Sequence, residues 1–89
     1  MERLIVVIGD TGSHGGSVIE SGTDESVFAE GKIVCVEGAI YDCPIHGQQP
    51  VNENLATKTT VNSKNVVLHQ SKAACGAEIY SSLIKTFGS

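Results

Sequence analysis

The stretch KIVCVEGAIYDCPIHG, residues 32–47, carries the pattern from which we predict the fold. It opens on a basic residue, continues as a short apolar run rich in β-branched residues, passes through a polar turn and reaches Cys43. His46 follows three residues later, across Pro44. Such a run, bounded by glycine and polar residues, predicts a strand followed by a turn. Cys43 and His46 are candidate ligands for one metal ion, although a C-x-x-H motif alone is a weak signal.

Two other segments follow the same pattern when all are aligned on their last residue. The three segments are RLIVVIGDTGSH (3–14), KIVCVEGAIYDC (32–43) and KNVVLHQSKAAC (64–75). Each begins with a basic residue, and their last residues, His14, Cys43 and Cys75, are all of types that bind zinc. Self-similarity at a spacing of about 30 residues indicates an internal repeat. We therefore predict three structurally equivalent units.

Short β-rich runs predict the elements of these units. Strands are predicted at 4–8, 33–36 and 65–68, with further strands at 17–20 and 77–84. SVFAE (26–30) and TTVNS (59–63) each lead into a turn, which predicts two hairpins. Helical periodicity is absent outside 78–87, where helix and strand are not separable. The predicted class is all-β, with three hairpin-like repeats closed around a pseudo-threefold axis, because closure removes exposed strand edges.

A threefold arrangement brings the ends of the three segments together. His14, Cys43 and Cys75 then converge near the axis, and His46 supplies a fourth ligand. These four residues form a Cys2His2 set without an open position, which predicts one structural Zn²⁺ ion. A Cys43–Cys75 disulfide remains an alternative. His69 remains an alternative ligand.

The size of the chain makes such a metal useful. With 89 residues, the prediction is a single domain over 1–89. The chain has no Trp, two Phe and two Tyr, so its apolar core is small, and a disulfide, a structural metal or association with a partner is expected to add stability. Its three cysteines are an odd number, which disfavours a disulfide scaffold. Cys35, inside a predicted strand, is assigned to the core.

Charge and motifs exclude several functions. A net charge of −4 with scattered basic residues disfavours nucleic acid as a partner. The apolar run from Leu4 to Ile8 is too short for a signal peptide or a membrane span, so we expect a cytoplasmic protein. GSHGGS (12–17) lacks the G-x-S-x-G pattern of a serine hydrolase, and Asp10 fits a turn better than a catalytic base. We therefore predict no catalytic residues and no enzyme.

The repeats resemble the PAAR-repeat family over about residues 3–84. The segments that carry this resemblance are VVIGDTGSHGGSVIESG (6–22), VFAEGKIVCVEGAIYDCPIHG (27–47) and VVLHQSKAACGAEIYSS (66–82). The resemblance implies a small conical β-structure, pinned by zinc near its apex. It also carries the family's metal positions onto His14, Cys43, His46 and Cys75. The Pro-Ala-Ala-Arg sequence that names the family is absent, and family sites are often richer in histidine, which keeps His69 open as a ligand.

The resemblance also implies a function. Members of this family cap and sharpen the trimeric valine-glycine-repeat spike of type VI secretion systems and related phage-like contractile tails. One tip would sit on each spike trimer, contact the target membrane transiently and attach effector proteins for delivery. The chain would be cytoplasmic until it is assembled into the apparatus and delivered outside the cell. The alternative is a small zinc-ribbon-like module that binds protein or nucleic acid.

Overall fold

The computed structural model describes residues 2–23 and 27–89, so the predicted hairpin arm at 26–30 begins outside the described residues. The strands, in chain order, are β1 Arg3–Leu4, β2 Thr11–Gly12, β3 Ser17–Glu20, β4 Phe28–Ala29, β5 Lys32–Ile33, β6 Ala39–Cys43, β7 Gly47–Glu53, β8 Thr60–Val61, β9 Lys64–Asn65, β10 Lys72–Ala73, β11 Ile79–Tyr80 and β12 Phe87–Gly88. No helix occurs among the described residues, and none there can cross a membrane. The predicted all-β class is confirmed.

A ring of three backbone hydrogen bonds defines the pseudo-threefold axis. The N–H of Val6 donates to the carbonyl of Val67 (2.9 Å), that of Cys35 to Val6 (3.0 Å), and that of Val67 to Cys35 (2.9 Å). Isolated β-bridges continue the ring between each pair of neighbouring repeats: Ile5–Leu68, Val7–Val34 and Val36–Val66. The three aligned segments are therefore equivalent in space. The strands predicted there are shorter than expected, because regular pairing gives way to single bridges where the three runs cross around the axis.

Tight hairpins stand at the start of the second and third repeats. β4 and β5 are joined by Glu30 and Gly31, with φ of 52° and 83°, and β8 and β9 by Asn62 and Ser63, with φ of 53° and 66°. Two successive residues with positive φ form the turn that matches the twist of a two-residue hairpin. The first repeat obtains the same pairing from the far end of the chain, where β12 pairs antiparallel with β1.

The core lies on both faces of the central ring. One buried cluster contains Val6, Cys35 and Val67 together with Tyr41 and Cys43. The alternate residues of the same runs, such as Val7 and Val34, belong to a second buried cluster with Ala29 and Leu83. Successive residues of an extended chain point to opposite faces, which explains the division. The first cluster faces the ends of the repeats, and the second faces the tight hairpins, which we call the base.

A six-stranded sheet carries the ends of the three repeats, in the order β10-β7-β6-β3-β2-β11. A single bridge between Lys72 and Glu78 connects its two outer regions, so the sheet is nearly closed. The predicted strand at 17–20 is confirmed as β3. The strand predicted at 77–84 is wrong in extent: only Ile79–Tyr80 is regular, because the chain then turns back toward the base to form β12.

Candidate metal centre

His14 and Cys75 are presented by turns of the same construction. The residues that follow them, Gly15 and Gly76, each donate their backbone N–H to the carbonyl three residues earlier, at 3.0 and 2.9 Å. Both glycines have positive φ, 97° and 91°, a conformation that costs glycine little and other residues more. The equivalent bonding shows that His14 and Cys75 occupy equivalent positions in their repeats.

The second repeat differs because its hairpin is longer. β6 and β7 pair continuously until Cys43 faces Gly47, and Pro44, Ile45 and His46 form the connection between them. Cys43 is buried at the end of β6, whereas His46 is exposed in the connection. This longer hairpin lets one repeat supply two candidate ligands, while each of the other repeats supplies one.

The structure brings all four predicted site residues together. The Sγ atom of Cys43 lies 3.4 Å from His14 Nδ1 and 3.5 Å from His46 Nδ1. The Sγ atom of Cys75 lies 3.8 Å from His14 Nδ1. One ligand atom from each of the four residues lies within 4.8 Å of all the others. With Zn–S near 2.3 Å and Zn–N near 2.0 Å, the sulfur and nitrogen corners of a zinc tetrahedron are about 3.5 Å apart. The donor types and spacings therefore fit a metal ion.

Tyr41 supports the turn that carries His14. Its side chain is fully buried, and its hydroxyl oxygen accepts the backbone N–H of Gly16 at 3.0 Å. A Cβ atom added at Gly16 would lie 1.7 Å from the carbonyl oxygen of Asp42. Gly16 does not have positive φ, so a glycine is needed here for the close approach of the His14 turn to β6. The contact holds His14 beside Cys43.

The thiols of Cys43 and Cys35 have opposite electrostatic environments. Burial of the Cys43 thiol raises its pKa. Hydrogen bonds from His46, from the local backbone and from His14 have the opposite and larger effect, so that the pKa is lowered overall, to about 6. The lowered pKa favours the thiolate, which is the form that binds metals. Burial, and secondarily the negative charge of Asp10, raise the pKa of Cys35 to about 12. Cys35 is a fully buried core residue.

His69 and Asp10 lie outside the cluster. The Nδ1 atom of His69 accepts the backbone N–H of Ser81 at 3.0 Å, and its ring contacts Tyr80 with centroids 5.7 Å apart. Asp10 is buried, and its carboxylate accepts hydrogen bonds from the Val7 N–H and the Ser82 hydroxyl. Both residues therefore join neighbouring chain segments. The supporting role of Tyr41 is not predictable from the sequence, since its register against Gly16 emerges only in the folded sheet.

A family model matches most of the chain. The family model described as PAAR motif matches residues 8–81, a span that contains all four residues of the candidate metal centre. A search of curated proteins finds no significant match.

Proposed function

The chain belongs to the PAAR-motif family, and on that premise we propose that it is a structural tip that caps and sharpens the trimeric valine-glycine-repeat spike of a contractile, type VI-like injection machine. The observation that carries the proposal is the ring of backbone bonds among Val6, Cys35 and Val67. A single chain with three equivalent sides matches a partner that has true threefold symmetry. The expected complex holds one tip for each spike trimer.

Zinc is the metal that we propose for the cluster. Two cysteines and two histidines are a common tetrahedral zinc set, and a set closed in this way suits a structural ion. The four residues come from all three repeats, so one ion would join the ends of the three repeats. Structural zinc sites contribute roughly 10 to 16 kcal/mol of apparent binding free energy in small peptides, which is comparable to the whole stability of a domain. We propose no catalytic role for the ion.

The base is the surface that we propose for docking on the spike. Phe28, Thr60 and Phe87 hold equivalent positions, since each is paired with the strand that begins its repeat. The Phe28 and Phe87 side chains are 62 % and 52 % exposed, whereas most apolar side chains of this size are buried. Exposed aromatic residues are typical anchors of protein interfaces. Docking on a spike trimer would cover them.

The opposite end carries the proposed point. Ile45 lies in the connection between Cys43 and His46, and its side chain is 68 % exposed. An apolar side chain held between two metal ligands suits a brief contact with a target membrane. We further propose that the tip is cytoplasmic until assembly, and that effector proteins attach to it for delivery.

The proposal is tested by mixing the purified protein with a purified valine-glycine-repeat spike trimer and following the complex by size-exclusion chromatography. The double variant Phe28→Ser with Phe87→Ser is expected to weaken the complex by more than tenfold. The matched control is Ile45→Ser, which removes an equally exposed apolar side chain from the other end and is expected to bind normally. Absence of a complex, or salt-dependent binding to DNA or RNA instead, would contradict the proposal and favour a zinc-ribbon-like module.

A further inference from the structure

Two of the three cysteines lie close enough to react with each other. The Sγ atoms of Cys43 and Cys75 are within 4.8 Å, and both approach the Nδ1 atom of His14, at 3.4 and 3.8 Å. A disulfide has an S–S distance of about 2.05 Å, so the sulfur atoms would need to move together by about 3 Å at most. Cys43 lies at the end of the β6–β7 hairpin and Cys75 lies in the turn that follows β10, so neither residue is part of the central ring.

The third cysteine differs from this pair in its surroundings. Cys35 is fully buried in the core, and its backbone is held in the central ring by bonds to Val6 and Val67. Burial raises its pKa to about 12, so it is a neutral thiol at any physiological pH. Because the thiolate is the reactive form, Cys35 is chemically inert in the folded protein. The contrast gives the chain an internal control for thiol chemistry.

We propose that Cys43 and Cys75 form a redox-active pair that hydrogen peroxide converts to a disulfide, with release of the bound metal. This inference rests on the zinc site of the proposed function. Cys75 is the first to react, because it is partly exposed whereas Cys43 is 1 % exposed. The sulfur of Cys75 attacks as the thiolate, the form in which a cysteine binds a metal; the O–O bond of the peroxide breaks, and a sulfenic acid and hydroxide are formed.

The thiolate of Cys43 then attacks the Cys75 sulfenic sulfur. The S–S bond forms as the S–O bond breaks, and a second hydroxide leaves. The two sulfur atoms give up two electrons in total, the peroxide takes up both, and two protons from solvent convert the hydroxides to water. Two of the four metal ligands are lost in the process, and His14 and His46 alone hold zinc weakly.

The disulfide would replace the metal as a link at the tip. It joins the ends of the second and third repeats, which the ion would otherwise connect. The tip is therefore expected to remain closed after oxidation, although it loses the ion. Reduction with dithiothreitol in the presence of zinc is expected to restore the metal centre, because a disulfide is reversible whereas sulfinic and sulfonic acids are not.

The test uses the full chain, with its zinc content measured before any oxidant is added. Peroxide is titrated while released zinc is followed with a chromogenic chelator, free thiols are counted, and the oxidised cysteines are mapped by mass spectrometry. We expect one zinc released for each two thiols lost, a Cys43–Cys75 peptide, and Cys35 recovered as the free thiol. The variant Cys35→Ala is expected to give the same zinc release.

The outcomes separate this inference from the proposed function. Three results with zinc-containing protein would overturn the redox pair: a disulfide through Cys35, disulfides between chains, or only sulfinic and sulfonic acids. None of these results would contradict the proposed metal site. Zinc that stays bound after both thiols are oxidised overturns the redox pair too. Protein that contains no zinc at the outset overturns the proposed metal centre, and the redox pair with it.

Discussion

Arg3 and Gly88, from opposite ends of the chain, face each other in register across β1 and β12. The same relation joins Lys32 to Ala29 in the second repeat. The first repeat thus completes its base hairpin with residues that follow the last one. The ring of three repeats is closed by the strand pairing of the two chain ends, and this closure removes an edge that would otherwise be exposed.

Deletion of residues 86–89 is therefore expected to destabilise the protein. The deletion removes β12 and the bond from the Ile5 N–H to the Thr86 carbonyl, together with the two bonds that the Ser89 carbonyl accepts. At roughly 1 kcal/mol for each hydrogen bond, the free energy of unfolding should fall by about 2 to 4 kcal/mol. Urea denaturation measures it. The exposed substitution Lys85→Ala serves as a control and should change little; an equally stable truncated protein would show that the closure is dispensable.

Cys43→Ser is expected to weaken metal binding far more than Cys35→Ser. Cys43 contributes a sulfur atom to the group of four candidate ligands, whereas Cys35 is not among those four and its side chain is buried in the core. Loss of a supporting contact lowers metal affinity by about 10- to 100-fold, so loss of a ligand should exceed 100-fold. Competition with a chromogenic chelator measures the affinity, and chelation of the wild type is expected to unfold or aggregate it. Equal effects of the two substitutions would mean that the repeats are wrongly aligned.

Gly16→Ala is expected to disturb both fold and metal site. The added Cβ would fall 1.7 Å from the Asp42 carbonyl oxygen, so the His14 turn has to move away from β6. A loss of about 3 kcal/mol is expected, near the upper end for overpacking. Thermal denaturation and metal content both measure the result. In the control Gly31→Asn, nothing lies within 4 Å of the added Cβ, and asparagine tolerates positive φ. A wild-type melting curve for Gly16→Ala would refute the close approach.

The buried thiol of Cys35 predicts a loss of stability at high pH. Its pKa is raised in the folded state to about 12, so the stability that the neutral thiol contributes is complete below the unfolded pKa near 9 and falls as pH rises toward 12. The slope from this one group approaches about 1.4 kcal/mol for each pH unit. Urea denaturation of the wild type and of Cys35→Ala at pH 8 to 10.5 isolates it. Parallel pH profiles would show that Cys35 ionises freely in the folded protein.

Much of the fold can be predicted from the chain because the repeats retain their pattern. The basic residue, the apolar run and the terminal His or Cys recur, and they locate the ring, the two tight hairpins and three of the four residues of the cluster. β12 is not predictable in this way, since KTFGS has no strand pattern of its own and becomes a strand only by pairing with β1. The contact of Gly16 with Asp42 depends on the register of β3 against β6, which local sequence does not specify.

The structural role of His69 could not be predicted from the sequence either. Its place six residues before Cys75 leaves a ligand role open, whereas the fold directs its Nδ1 atom to the Ser81 N–H. The four-residue set is easier to predict because three of its members hold equivalent repeat positions. The fourth, His46, follows from the C-x-x-H spacing.

We propose that one chain with a metal-pinned tip caps one spike trimer. Native mass spectrometry of the complex with a valine-glycine-repeat spike trimer measures this stoichiometry and the metal content together. The predicted mass is that of three spike chains, one tip chain and one zinc ion. A complex that holds three tip chains, or one that lacks the metal, would contradict this account.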